Sequence, residues 1–259
     1  MTASQAQNDP FRLDGKHAVV TGAGKGIGRG IAHQLARAGA TVTVSARTRE
    51  DLESLVAQIE SQGGHAMAVV ADVTIREQLE LVASQASEHG NGRIDIWVNN
   101  AGGLPDATPR YLTKTPEDRW DAQMDLNLKA VFNACQVAAE HLADGGSIIN
   151  ISSQAGRGMG NLKNGPYAAS KAAVNSLTAT YALELAPNIR VNAVGPGPIP
   201  TENFNASTNF PEDTPVEKII RVPLGRLGTP DDIGNAVVFL ASDAASWITG
   251  QCIYVNGGL

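Results

Sequence analysis

Short apolar runs recur along the chain, separated by longer stretches in which apolar residues return every three or four positions. The first run, His17-Ala-Val-Val-Thr21, ends in a glycine-rich turn and predicts a buried strand. Beyond the turn, Ile27, Ile31 and Leu35 share one face of a helix. The same reading predicts strands at Thr41–Ser45, Ala66–Ala71, Ile94–Val98, Ser147–Ile151, Ile189–Val194 and Cys252–Val255. Between them it predicts helices at Asp51–Ser61, Ile75–His89, Pro116 to about Leu142, Tyr167–Ala186 and Pro230–Ala241. Thr115-Pro116-Glu117-Asp118 predicts a capped helix start with proline in the first helical position. Strand–helix alternation implies an α/β chain whose parallel sheet of about seven strands carries helices on both faces. Right-handed crossovers make such a sheet doubly wound. No break in composition divides the chain, so one domain is expected over 1–259, with 1–10 as a flexible tail. Residues 198–223, with five prolines, read as a long loop inserted near a substrate site.

Composition narrows the function. Apolar residues make up 42% and charged residues 18% of 259, enough for a sizeable core. A net charge of −6 argues against nucleic acid or an anionic membrane as the main partner. No apolar run approaches the roughly 20 residues that span a bilayer, and Met1–Pro10 lacks the apolar stretch of a signal peptide. Cys135 and Cys252 lie far apart among apolar neighbours, which predicts buried free thiols in a reducing, cytoplasmic setting. His17, His33, His65, His89 and His141 show no metal-ligand spacing, so no metal is expected. Asn150-Ile151-Ser152 and Asn205-Ala206-Ser207 fit the glycosylation pattern and are read as chance matches without a secretion signal.

The candidate chemistry begins at Tyr167-Ala-Ala-Ser-Lys171. On a helix, residues four apart project from one face, so the phenol and the ammonium stand one above the other. An unperturbed tyrosine titrates near ~10 and is a poor base at neutral pH. A cation about 4 Å away favours the phenolate by roughly 4 kcal/mol at an effective dielectric of ~20. That could lower the tyrosine pKa by up to about three, before screening and desolvation take some back. So tuned, the tyrosine could exchange a proton with an alcohol or a carbonyl oxygen.

A nucleotide is implied by the turn after the first strand, where backbone N–H groups at a helix N-terminus can meet a pyrophosphate. The spacing there is G-x-x-x-G-x-G, from Gly22, Gly26 and Gly28; G-x-G-x-x-G fails because position 27 is Ile27. The end of the second strand reads Ser45-Ala46-Arg47-Thr48-Arg49, without a carboxylate until Glu50. NAD sites place an acid there for the ribose hydroxyls, and NADP sites an arginine for the 2′-phosphate. Arg47, with Lys25 in the turn, therefore favours NADP(H) over NAD(H).

These elements, taken in order, closely resemble the short-chain dehydrogenase/reductase family from about Phe11 to the end. They are Thr21-Gly-x-x-x-Gly-Ile-Gly28, Asp72-Val73, Asn99-Asn-Ala-Gly102, Asn127, Ser153, Tyr167-x-x-x-Lys171, Pro196-Gly197 with Thr201, and Val255-Asn256-Gly257-Gly258. The resemblance implies a Rossmann-type fold and a ketone/secondary-alcohol oxidoreductase. It casts Tyr167 as general acid/base, Ser153 as the hydrogen-bond donor to the substrate oxygen, and Lys171 as tuner of the tyrosine and holder of the nicotinamide ribose. Asn127 would hold a water linking the lysine to solvent. Gly22, Lys25, Gly26, Ile27, Gly28, Arg47, Asp72, Val73, Asn100, Ala101, Gly102, Pro196, Gly197, Ile199 and Thr201 would line the cofactor, and a homotetramer or homodimer is the expected assembly. Ser152 and Ser153 would point opposite ways from a strand end, and the pattern Ser-Ser-x-x-Gly156 puts the catalytic hydroxyl at Ser153.

Loops 103–113 and 154–164 and the insertion from Pro198 would frame the substrate. They offer Leu104, Tyr111, Met159, Leu162, Phe204 and Phe210, with Arg110, Arg157 and Lys163 at the rim. A small, partly apolar ketone or alcohol is therefore expected. Relatives that reduce 3-oxoacyl groups on a carrier protein show basic residues where this chain has Glu140 and Asp144, then Pro187 and Asn188. That ranks 3-oxoacyl reduction second. A non-catalytic NADP-binding sensor ranks third, since Ser153, Tyr167 and Lys171 are all present.

Overall fold

The computed structural model describes residues 9–158, 163–202, 204 and 220–259. Residues 1–8, Met159, Leu162, Phe210, Asn205-Ala206-Ser207 and most of the 198–223 insertion lie outside the described residues. Seven strands form one parallel sheet in the order β3-β2-β1-β4-β5-β6-β7. Along the chain they alternate with helices: β1 His17–Thr21, α1 Gly26–Arg37, β2 Thr41–Ala46, α2 Arg49–Ser61, β3 His65–Val70, α3 Arg76–His89 and β4 Ile94–Asn99. Then come α4 Glu117–Met124, a π-helical turn Asp125–Lys129, α5 Ala130–His141, β5 Leu142–Ile151, α6 Gly165–Leu185, β6 Ile189–Pro196, α7 Pro230–Ala241 and β7 Cys252–Val255. This is the doubly wound Rossmann-type sheet expected.

Each inner strand is buried on both faces, as a covered parallel sheet requires. Ala18, Val20, Ile96, Val98, Ile149 and Ile151 face a core shared with Leu35 of α1, Leu52 and Leu55 of α2 and Val237 of α7. Their neighbours Val19, Trp97 and Ile148 face the other core, with Leu79 of α3, Val137 of α5 and Val174 of α6. A fully buried side chain of this size contributes roughly 1.5–3 kcal/mol, so the two layers fix which face each strand residue takes. Helix α7 crosses α1 at two glycines. A Cβ on Gly30 would stand 2.4 Å from the Pro230 Cβ, and one on Gly234 2.6 Å from the Gln34 Cγ.

Three expectations need correction. Thr115 does not cap α4, because its hydroxyl donates to the Tyr111 carbonyl (3.2 Å). Pro116 takes the N-cap place instead, at φ −65° and ψ 153°, and the helix begins at Glu117. The long helix to Leu142 is interrupted by the π turn and ends at His141. Finally, β5 starts at Leu142 rather than Ser147, because Leu142 pairs with Ile94 ahead of a register shift and Ser147 with Ile96 after it.

Candidate active site

The strand order reverses between β1 and β4, and crevices for ligands open at the carboxyl ends of strands at such a point. The glycine turn lies there, and each fingerprint glycine has a steric reason. Gly22 adopts φ +64°, and a Cβ on it would meet the Ala101 Cα at 2.7 Å. A Cβ on Gly28 would stand 2.3 Å from both the Gly22 oxygen and the Asn100 Nδ2. Gly26, at φ +53°, faces the Thr201 methyl, 3.1 Å from where its Cβ would be. Asn100 ties the end of β4 to this turn by donating to the carbonyls of Thr21 (2.9 Å) and Gly22 (3.0 Å). The Thr21 hydroxyl accepts from the N–H groups of Asn100 and Ala101. The Gly22, Gly26, Gly28, Asn100, Ala101 and Thr201 positions thus converge on one cradle.

The remaining cofactor candidates divide by what their side chains do. Pro196 is buried and Ile199 is 3% exposed within the first core, so only their backbones are left for a ligand, whereas Ile27 is half-buried and packs against the same core. The Gly197 N–H donates to the Val255 carbonyl, and a Cβ there would stand 2.6 Å from the Asn256 Cα. Lys25 stands 3.6 Å from Asp51 and 3.7 Å from Glu202, partners not foreseen from the sequence. Such exposed pairs are weak and do not bind the ammonium firmly. Arg47 is exposed at the end of β2. Asp72 accepts from the Thr74 N–H and hydroxyl, and Val73 is buried beside it. Partial burial would raise the Asp72 pKa, but the Thr74 bonds and the charge of Arg47 outweigh it and hold the carboxyl below its ordinary value.

The catalytic candidates come from three elements. Ser153 follows β5, and its hydroxyl accepts from the Ala155 N–H (3.1 Å) while bonding to the Tyr167 phenol. Tyr167 and Lys171 lie on the first turns of α6, with Pro166 inside the helix start as expected. The Lys171 ammonium is 5.8 Å from the Tyr167 ring centroid and donates to the Ile151 carbonyl at 2.8 Å. The lowered tyrosine pKa expected from the sequence is therefore corrected. Burial raises the Tyr167 phenol above its usual value, only partly offset by the Ser153 bond. Burial also depresses the Lys171 ammonium to about 8. Ser152 turns the other way and donates to the Lys171 carbonyl (3.2 Å).

Asn127 is fully buried in the π turn, a helix irregularity that recurs at functional sites. Its amide closes a ring on Gly103, accepting from the N–H (2.9 Å) and donating to the carbonyl (2.8 Å). Gly102 fits between this amide and the lysine, since a Cβ there would stand 2.8 Å from the Asn127 Oδ1 and 3.3 Å from the Lys171 Nζ. Ser153, Tyr167, Lys171 and Asn127 are therefore brought together.

Other residues of the site were not anticipated. Gln123, one turn before Asn127 on the same face, also donates to the Gly103 carbonyl (2.8 Å), and its i, i+4 spacing was the available signal. Asn175 bridges the Gly156 carbonyl (2.8 Å) and the Tyr254 hydroxyl (3.0 Å), fastening the serine loop to β7. Arg157 caps the same tyrosine ring at 5.0 Å, so it braces the fold rather than standing free at the rim. Cys135 is the buried thiol expected, with its pKa pushed up to about 12 by burial. Among the described residues no cluster of metal-ligating side chains occurs, and no helix is long and apolar enough to cross a membrane.

Comparison with known proteins supplies the family. A family profile described as Enoyl-(Acyl carrier protein) reductase matches residues 22–259. The 3-oxoacyl-(acyl-carrier-protein) reductase of Thermotoga maritima is 42% identical over 252 residues, 96% of this chain and 99% of the relative. That of Staphylococcus epidermidis is also 42% identical, over 94% of this chain and 98% of its own. Among solved structures, a 7 alpha-hydroxysteroid dehydrogenase complexed with NADH and 7-oxo glycochenodeoxycholic acid superposes with a TM-score of 0.89. It is 38% identical and the match covers 100% of this chain and 98% of that one. A short chain dehydrogenase from Burkholderia cenocepacia in complex with NADP gives a TM-score of 0.85 at 33% identity, over 95% and 98% of the two chains. The chain therefore belongs to the short-chain dehydrogenase/reductase family, as an oxidoreductase acting on CH–OH and C=O groups.

Proposed function

We propose that the enzyme reduces a ketone to a secondary alcohol with NADPH, and that the ketone is the 3-oxo group of an acyl thioester. The meeting of Ser153, Tyr167 and Lys171 beside the glycine cradle carries the reaction type. The reductases 42% identical over nearly the whole chain carry the substrate class. That class stood second in the sequence reading, where acidic and neutral residues at Glu140, Asp144, Pro187 and Asn188 counted against an acidic carrier. Full-length similarity outweighs four surface positions, and the small free ketone takes second place. It keeps that place because a hydroxysteroid dehydrogenase superposes over the whole chain. Rates of NADPH oxidation with acetoacetyl-coenzyme A against a panel of cyclic ketones test the order; faster turnover of the ketones would reverse it.

The cradle fits a dinucleotide, because Gly22, Gly26 and Gly28 leave backbone surface where a Cβ would project. Lys25, Ile27, Asp72, Val73, Asn100, Ala101, Gly102, Pro196, Gly197, Ile199 and Thr201 would complete the cofactor site. Nicotinamide supplies hydride when bound. The protein's own part is proton traffic and position. Ser153, held by the Ala155 N–H, orients the carbonyl oxygen towards Tyr167. The raised pKa of the phenol keeps it protonated at neutral pH, the form that donates in reduction. Lys171, next to Asn127 across Gly102, is the group through which the phenol regains its proton.

Arg47 supports NADP(H) over NAD(H), being an exposed guanidinium where the ribose 2′-phosphate would fall. Removing a charge-assisted hydrogen bond costs about 1.5–3 kcal/mol. Arg47→Asp should therefore lower the NADPH/NADH ratio of kcat/KM by more than about tenfold, and an unchanged ratio would overturn the cofactor assignment. A homotetramer or homodimer would cover Trp247, Leu183 and Leu224, which are 98%, 83% and 75% exposed.

A further inference from the structure

The end of β2 carries no acid before Glu50, yet the fold returns a carboxylate to the corner where the adenosine ribose would lie. Asp51 belongs to the first turn of α2. A Cβ on Gly24 of the glycine turn would stand 3.1 Å from the Asp51 Cβ and 3.8 Å from its Oδ2. The same Cβ would stand 3.6 Å from the Ala46 Cβ, so the Asp51 side chain lies where the glycine turn meets the end of β2. Arg29 of α1 fastens it there. Its guanidinium donates to the carbonyls of Gly24 (3.0 Å) and Asp51 (3.2 Å) and to the Ser54 hydroxyl (3.0 Å).

The cations of this corner already have partners. Lys25 stands between Asp51 (3.6 Å) and Glu202 (3.7 Å), and the charge of Arg47 acts on Asp72. A 2′-phosphate arriving here must therefore take Lys25 from its carboxylates. The two carboxylates do not hold it equally. The Asp51 side chain is 27% exposed on an anchored helix turn, whereas that of Glu202 is 74% exposed. Solvent and salt screen the second pair more than the first, which leaves Asp51 as the main competitor.

We propose that Asp51 is a specificity-determining residue for the cofactor: it competes with the ribose 2′-phosphate for Lys25 and so moderates the NADP(H) preference that Arg47 supports. The inference rests on the reading that the glycine cradle binds the dinucleotide. NADH carries no 2′-phosphate, so the competition weighs on one cofactor and not on the other. A partly exposed pair of this kind shifts an equilibrium by up to about fivefold, enough to set how strictly an enzyme separates the two.

Calorimetric titration without substrate reads the effect as binding rather than turnover, with NADPH, NADH, adenosine 2′,5′-bisphosphate and AMP as probes. Asp51→Asn should tighten NADPH about three- to fivefold and leave NADH within about twofold, and the gain should shrink with added salt. The same split should separate adenosine 2′,5′-bisphosphate from AMP. Glu202→Gln should act in the same direction by less. Asp51→Glu keeps the charge and should stay near the wild type. Glu50→Gln removes one negative charge from the same helical turn but leaves the Lys25–Asp51 pair, so it should not move the NADPH/NADH ratio. In a Lys25→Met background, Asp51→Asn should change that ratio by less than about twofold, because the contested group is gone. Thermal unfolding without cofactor checks that each variant folds. An equal gain for both cofactors would put Lys25 on the pyrophosphate they share and overturn the specificity role. So would a full gain in the Lys25→Met background, or NADPH binding with a ratio unmoved by Asp51→Asn; each leaves the dinucleotide cradle standing. No binding of any probe to the wild type would sink the cradle and the inference with it.

Discussion

Tyr167→Phe is expected to lower turnover by about a thousandfold while NADPH affinity changes by less than about twofold. General acid–base groups contribute typically 10²–10⁴ in rate, and nothing else near the site replaces this one. Ser153 is a far weaker acid, and the Lys171 ammonium is engaged with the Ile151 carbonyl. The phenylalanine keeps the buried ring, so the change removes a hydroxyl and its bond to Ser153 without opening a cavity. Stopped-flow hydride transfer and fluorescence titration with NADPH separate the two quantities, and near-normal turnover would discard the mechanism. The lysine adds a pH signature. Its pKa of about 8 reflects burial, so kcat/KM for the cofactor, which reports the enzyme alone, should fall as pH rises through about 8. Unfolding would not imitate that fall. Between about 8 and 10 the unfolded lysine, with an ordinary pKa of 10.5, binds more protons than the folded one, so this group makes the fold more stable as pH rises. A flat profile across pH 7 to 9 would count against Lys171 as the titrating group.

How much of this was legible in the chain follows from the range of the forces involved. Strands and helices were readable because each buries one periodic set of side chains, and the two cores take up those sets. Tyr167 and Lys171 were readable because helical spacing is local. What Lys171 does was not, because its partner is a carbonyl at Ile151, twenty residues away, and burial reverses the sign expected from charge alone. The π turn at Asn127 was likewise hidden, since one residue of helical phase leaves no compositional trace. So was the buried polar string in which Trp97 donates to Asn99, Asn99 to Asn150 and Asn150 to Thr178, joining β4, β5 and α6 beneath the site. Such long-range bonds are set by the finished fold and fix it in turn.

Gly28→Ala should abolish cofactor binding, with Kd for NADPH raised more than about a hundredfold, while Gly24→Ala in the same turn should change it only a few-fold. Periodicity and composition treat the two glycines alike; the difference is steric. A methyl at Gly28 would sit 2.3 Å from the Gly22 carbonyl oxygen and 2.3 Å from the Asn100 Nδ2, inside any tolerable contact. Neither neighbour can yield cheaply. The Gly22 carbonyl belongs to the turn that would cradle the pyrophosphate, and the Asn100 amide is the tie holding that turn to β4. Relief would have to come from moving α1 off the sheet or breaking the tie, and either displaces the N–H groups that would meet phosphate. At Gly24 the added carbon would lie 3.1 Å from the Asp51 Cβ, a contact that a shift of a few tenths of an ångström relieves. Overpacking of the first kind typically costs 1–3 kcal/mol or more, so Gly28→Ala should also lower the melting temperature by several degrees. Calorimetric titration with NADPH and thermal melts of both variants check the contrast, and equal cofactor affinity in the two would show that this turn does not hold the dinucleotide.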